Sequence, residues 1–280
     1  MKCEANLKPE GRFRHEVPFN HLISRRGFLA GAMSMPLLAG AAYMRGTAAR
    51  IGLAGADANP YQTEDGALWM LYCGAWNQGV GRFDPNATSI ADCMGNESSL
   101  DAGSVGDNRM WREPTSVASI GPSETLGRMI YDRVFTVLFI GRAKKRTVGA
   151  QDCFAFYNGA ARGVSLNITN QHELSPFLYR AQFSGGSITP TWDTNDEITF
   201  AFCFSFDGTD RVERYREIGG VTRDYTLASS SALYDRFVPS NLSFGYATKC
   251  EIAAFAVYSR AITQTEFENF WAAAKNQYHI

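Results

Sequence analysis

From Gly66 onward the apolar positions recur with the period of β-strands rather than of helices. Residues 67–73 form a continuous apolar run, as suits a buried strand. Residues 133–140 are β-branched and aromatic and stop at Gly141, and 153–157 stop at Asn158-Gly159, a dipeptide favoured in hairpin turns. Residues 163–169 alternate strictly, with Val164, Leu166 and Ile168 on one face, and 178–183 read as a further strand. The clearest segment is 197–206. Ile198, Phe200, Phe202, Phe204 and Phe206 share one face at period two, Asp207-Gly208 supplies a tight turn, and 212–218 return. Two more strands are predicted at 242–245 and 250–258. Between Asn77 and Pro122 the chain is rich in Gly, Asn, Asp and Ser, which predicts either a functional insertion or short irregular strands.

The pattern changes once more at the end. Thr263 with Glu266 three residues on is a capping box, and Phe267, Phe270, Trp271 and Ala274 follow as one apolar stripe at helical spacing. Together these elements predict an all-β, two-sheet antiparallel jelly-roll sandwich over residues 57–280 with a short C-terminal helix. Residues 1–56 are expected to form a separate, non-globular segment.

Composition refines this division. The first fifty residues hold eight Lys/Arg against three Asp/Glu, whereas the rest of the chain is acidic, for a net charge of −1. The body has no basic patch interleaved with aromatics, so nucleic acid is not an expected partner. The basic excess centres on Ser24-Arg25-Arg26-Gly27-Phe28-Leu29, followed by a mild Ala- and Gly-rich apolar stretch. Arg25, Arg26, Phe28 and Leu29 resemble a twin-arginine export signal. Pro36 and the scarcity of large aliphatics argue against a transmembrane anchor. The same basic segment also reads as an arm that docks on a neighbouring subunit, and both readings stand.

Six cysteines are widely spaced and form no CxxC pair. Most sit in apolar runs and read as small buried hydrophobes. Cys73 and Cys93 form a candidate bridge, which would fit an oxidising compartment.

The hairpin around Asp207-Gly208, the strand ending at Tyr258-Ser259-Arg260-Ala261 and the capped helix after Thr263 resemble the laminin-G-like, concanavalin-like jelly-roll family. The usual Trp at the start of the hairpin strand is Glu197-Ile198 here, and the usual Asn-Gly of the return strand is Ile218-Gly219-Gly220. The resemblance implies a sandwich fold and calcium as the metal to weigh, held at a rim loop; Asp207 and Asp210 are the candidate ligands. It does not imply one ligand, because such sandwiches host many functions.

Catalytic patterns are scarce. Glycosidases on this fold use paired carboxylates on one strand; Asp193, Asp196 and Glu197 come nearest, in a turn-like stretch that reads as a solvated loop. No HExxH, Gly-x-Ser-x-Gly or phosphate loop occurs. Trp111 and Trp192 lie among turn residues as candidates to stack on sugar rings, and Arg109 and Arg112 beside Trp111 make that loop the expected recognition site. Three functional readings follow. The first is a non-catalytic structural or decoration protein of a virus particle, oligomeric, with the basic arm contacting other subunits. The second is an exported lectin-like protein binding surface glycans. The third is a glycoside hydrolase of the same fold. Each places the protein in a virion or outside the cytoplasm.

Overall fold

A computed structural model describes residues 59–280 except 75, 78–81, 97–98, 102, 107, 114–116, 121–122, 146–150, 160, 179–186, 229–236 and 247–249. The twin-arginine residues Arg25, Arg26, Phe28 and Leu29 lie outside the described residues.

Short strands come first: β1 (Leu68–Tyr72), β2 (Trp76–Asn77), β3 (Arg82–Phe83), β4 (Ser89–Ala91), β5 (Ser99–Asp101), β6 (Ser104–Val105), β7 (Trp111–Glu113) and β8 (Val117–Ser119). Of the two expectations for this region, short irregular strands are what the chain forms. Helix α1 (Glu124–Asp132) follows, capped by Ser123, whose hydroxyl accepts the Leu126 N–H. Then come β9 (Val134–Lys144), β10 (Gln151–Asn158), β11 (Ala161–Ile168), β12 (Leu174–Leu178), β13 (Glu197–Asp207), β14 (Asp210–Glu217), β15 (Arg223–Ala228), β16 (Asn241–Tyr246) and β17 (Cys250–Tyr258). Helix α2 (Gln264–Tyr278) ends the chain, and its capping box is formed as expected, with Thr263 and Glu266 bonding reciprocally.

The strands build an antiparallel sandwich. The larger sheet runs β15-β14-β13-β9-β17-β7-β6, with β1 also paired to β17; the smaller runs β12-β11-β10-β16-β8. β17 is shared lengthwise: Cys250–Ile252 face β7, while Phe255 to Tyr258 face β1. Of the predicted strand at 178–183 only Leu178 lies among the described residues. The described strand is Leu174–Leu178, and 179–186 lie outside the described residues. Its Pro176, which cannot donate to a ladder, is tolerated because β12 is the edge of its sheet.

The phenylalanine row faces inward as the alternation requires. Phe200, Phe202, Phe204 and Phe206 join Phe139, Phe154, Phe156, Phe244 and Phe255 in the core between the sheets. The intervening Ala201 and Cys203 point to the opposite face, where they meet Leu138, Ile140, Ala254 and Ala256 and the stripe Phe267, Phe270, Trp271 and Ala274 of α2. Small residues on that face let the helix approach, and Tyr258 stacks on Phe270 with ring centroids 5.5 Å apart. The central strands are therefore buried on both sides, which accounts for a β17 without an exposed residue. Among the described residues, no helix is long and apolar enough to cross a membrane.

Register in β14 follows from its partner. Arg211, Glu213, Tyr215 and Glu217 sit opposite Phe206, Phe204, Phe202 and Phe200 and so share the inward side of the strand. Arg211 and Glu213 are buried there as an ion pair at 2.9 Å. Burial pushes the Glu213 carboxyl up to about 7, with the Arg211 guanidinium opposing the shift.

Candidate functional site

The residues expected to recognise a ligand are each engaged within the fold. Trp111 lies on the inward side of β7 and is fully buried, packed so closely that a Cβ on Gly103 would sit 2.3 Å from its ring. Its ring therefore offers no face to a ligand. Alternation sends the next residue outward: Arg112 donates to Glu251 Oε1 through Nε at 2.9 Å and Nη2 at 2.6 Å. Arg109 adopts a left-handed backbone, φ 62°, and lays its guanidinium 4.8 Å from the centre of the Phe83 ring. Trp192 is half-buried against the core, with its indole N–H donating to the His172 carbonyl at 3.1 Å.

The acidic candidates serve turns. Asp207 Oδ1 accepts the amides of Asp210 at 2.8 Å and Thr209 at 2.9 Å, which hold its carboxyl below the usual range. Asp210 opens β14 on the far side of that turn. Asp193 Oδ1 likewise accepts the amides of Asn195 and Glu197, both at 2.8 Å. Asp196, at φ 59°, pairs with Lys145 at 3.3 Å. Among the described residues no three His, Cys, Asp or Glu side chains gather in a way that could hold a metal ion.

A different set of residues does converge. Where β9, β13 and β14 end together, a cleft of about 600 Å³ opens between the Thr191–Asn195 loop and the turn after β14. Arg142 of β9, Glu197 and Thr199 of β13 and Glu217 of β14 supply its charged and hydroxyl groups. Each is oriented by a neighbour. Arg142 Nε donates to the Thr199 hydroxyl at 3.2 Å, directly across the ladder, and its Nη1 lies 3.5 Å from Glu251 and 3.9 Å from Glu197. Glu217 accepts from the Thr191 amide, the Thr191 hydroxyl and the Tyr215 hydroxyl, each at 3.1 Å. Asn195 and the exposed Ile218 are also part of the lining.

This cleft presents a fixed guanidinium, carboxylate oxygens, an amide and one aliphatic surface. Such a combination suits a ligand with many hydroxyl donors and acceptors. Of its residues, the sequence pattern singles out only Asp193 and Glu197, as acids. Arg142 is legible as a charge at the end of an apolar strand, but its partner Thr199 emerges only from the register between β9 and β13.

Neither a family model nor a curated protein matches the sequence. Solved structures do. Trypanosoma rangeli sialidase in complex with the inhibitor DANA aligns with a TM-score of 0.52 at 10% identity, over 84% of this chain and 38% of that one. The same sialidase in complex with sialic acid aligns at 0.50 and 11% identity over the same shares. The binding domain of Botulinum neurotoxin DC in complex with rat synaptotagmin II aligns at 0.51 and 10% identity, over 73% of this chain and 51% of that one. The chain thus spans 38% of the sialidase and 51% of the toxin binding domain. At these identities the likeness is one of fold, and it places the chain among antiparallel β-sandwiches of the jelly-roll kind.

Proposed function

We propose that the protein is a non-catalytic recognition module that holds a glycan in the cleft between β9, β13 and β14. The reading draws on the laminin-G-like resemblance of the sequence. The observation that carries it is the cleft itself, whose polar groups are oriented before any ligand arrives, so that little ordering cost remains on binding. Its carboxylates also favour binding over hydrolysis. Asp193 is held by turn amides, Glu217 accepts three hydrogen bonds, and Glu197 lies beside Arg142. A glycosidase instead needs one carboxyl as proton donor and a second facing the same bond. The sialidase, an enzyme, shares this fold but lends the chain no activity.

The test is binding to an array of oligosaccharides, with wild type compared with Arg142→Ala and Asn195→Ala. Removing the charge-assisted hydrogen bond of Arg142 should weaken binding about tenfold to a hundredfold, and removing the neutral Asn195 amide about twofold to tenfold. Retention of the same glycans by both variants, with unchanged circular dichroism, would move the ligand elsewhere. Catalysis would be shown by turnover of a bound glycan.

A second reading, a structural or decoration subunit of a virus particle, draws on the turn joining β14 to β15. There Ile218 and Val221 are 54% and 74% exposed, apolar side chains suited to a neighbouring subunit. Native mass spectrometry decides it: a closed oligomer that dissociates in Ile218→Ser/Val221→Ser supports assembly, and a monomer at high concentration counts against it. Either reading puts the protein on a particle or outside the cytoplasm.

A further inference from the structure

Cys73 directly follows β1 and is buried, whereas Cys93 follows β4 and is half-buried. Two hydrogen bonds clip these segments together. The Cys93 amide donates to the Leu71 carbonyl at 2.7 Å, and the Leu71 amide donates to Asp92 Oδ1 at 2.7 Å. Leu71 and Cys73, two residues apart, both belong to the cluster beneath α2, and Cys93 packs against that same cluster. The Leu71–Cys93 bond thus brings the two cysteines to one place in the cluster, where Cys73 acts on the Cys93 thiol and the Cys93 Sγ lies 3.9 Å from the Ala91 carbonyl. Neither forms a disulfide in this structure.

We propose that Cys73 and Cys93 are a redox-responsive dithiol, in which the accessible Cys93 attacks an external disulfide and the buried Cys73 resolves the product, tying the segment after β4 to the end of β1. The division of labour follows from the surroundings. The Cys93 thiol is held below its ordinary value by the hydrogen bond from Cys73, against the opposing effects of burial and the Asp92 charge. An accessible thiol so activated beside a resolving partner is the arrangement that responds to oxidants. The other described cysteines lack it: Cys153, Cys203 and Cys250 are wholly buried, and burial pushes the Cys203 thiol up to about 12.

With oxidised glutathione as the oxidant, the chemistry balances. Cys93 loses its proton, and its sulfur attacks one glutathione sulfur, breaking that S–S bond and expelling a glutathione thiolate with the electron pair. Cys73 then loses its proton and attacks the Cys93 sulfur, expelling the second thiolate. Two protein thiols become one disulfide, one small disulfide becomes two thiols, and the two protons end on glutathione. The Cys73 carbonyl also accepts the Tyr278 hydroxyl from the last turn of α2, so the bridge would stiffen the point where β1, the segment after β4 and α2 meet.

The test uses the full chain, equilibrated natively in graded mixtures of reduced and oxidised glutathione, quenched by alkylation and mapped by mass spectrometry. The expected result is a peptide pair linked through Cys73 and Cys93 and lighter by two hydrogens. The oxidised protein should have a higher urea midpoint, reversed by reductant and absent in Cys93→Ser. Three results would overturn the proposal: a lasting glutathione adduct on Cys93, a Cys93 that still alkylates at the most oxidising ratio, or a Cys93 linked to any other cysteine. Because the linked pair is sought in the wild-type protein, the test holds even where a variant folds poorly.

Discussion

Phe255→Ala tests the sandwich where its two sheets meet. Phe255, on β17 of the larger sheet, is fully buried. Its ring packs on three rings of the smaller sheet: Phe244 at 4.9 Å between centroids, Phe154 at 5.0 Å and Phe156 at 5.9 Å. Tyr72, on neighbouring β1, lies at 6.5 Å. Returning the buried phenylalanine surface to water costs about 2–3 kcal/mol. Ring–ring attraction disappears as well, and a cavity remains between two hydrogen-bonded sheets that cannot close up without breaking ladders. Together these bring the total to about 4–5 kcal/mol, the upper part of the usual range for this substitution. Phe255→Leu keeps most of the volume and should cost about 1.5 kcal/mol. Urea denaturation followed by tyrosine and tryptophan fluorescence measures both. As a control, Val221→Ala on the exposed turn should stay within about 0.5 kcal/mol. A loss below about 1 kcal/mol for Phe255→Ala would mean that the inner faces are not packed ring against ring, and the two-sheet assignment would fall with it.

Other tests probe single features. Gly141→Ala should cost about 3 kcal/mol in the same assay, because its Cβ would lie 2.1 Å from the Glu251 carbonyl beside the β17 bulge, and that backbone cannot retreat cheaply. The Glu266 carboxyl is held below its ordinary value, first by the Arg260 hydrogen bond and also by the Thr263 amide and hydroxyl, with burial opposing. Its contribution is present above the unfolded value and lost as pH falls through the lowered one, so acid titration of the melting temperature should show a loss below about pH 4.5 that shrinks in Glu266→Gln. Glu213 has the opposite sign. With its carboxyl at about 7 in the fold, its contribution is full below the unfolded value of 4.5 and declines as pH rises through 7, and Glu213→Gln should flatten that part of the urea-midpoint profile. Added calcium should leave the melting temperature unchanged, because Asp207 Oδ1 already serves two amides; a rise abolished by Asp207→Asn or Asp210→Asn would place an ion at that turn.

The framework is legible because the hydrophobic alternation is strongest where burial is one-sided or complete. The row from Ile198 to Phe206, the Asn158-Gly159 and Asp207-Gly208 turns and the Thr263–Glu266 cap each state a local preference that the fold adopts. What escapes has physical reasons too. Helix α1 carries a single apolar stripe of Leu126, Met129 and Ile130 in a stretch dense with turn formers, so its period is short. β12 hides behind Pro176. β14 places Arg211 and Glu213 on its inward side, where a pattern reading expects apolar residues; their pairing offsets only part of the cost of burial, as the raised Glu213 carboxyl shows.

The site is the least legible part, for a reason that lies in how such a cleft is made. Arg142, Thr199 and Glu217 come from three strands, and each looks ordinary in its own segment. They meet only because β9 and β13 pair in a register that sets Arg142 opposite Thr199, and because β13 and β14 pair so that Glu217 ends beside Phe200. A loop rich in Trp and Arg attracts the eye, but around Trp111 the pleat turns the indole into the core and leaves Arg112 to an ion pair with Glu251. On this sandwich the polar cleft is thus a property of strand ends rather than of a conspicuous loop. A one-residue slip between β9 and β13 would turn Arg142 to the other face of the sheet and dismantle the cleft. The cleft and the phenylalanine core accordingly rest on the same ladder. A substitution that loosens that ladder should weaken ligand binding together with stability, whereas Asn195→Ala, at the rim of the cleft, should weaken binding with little change in stability.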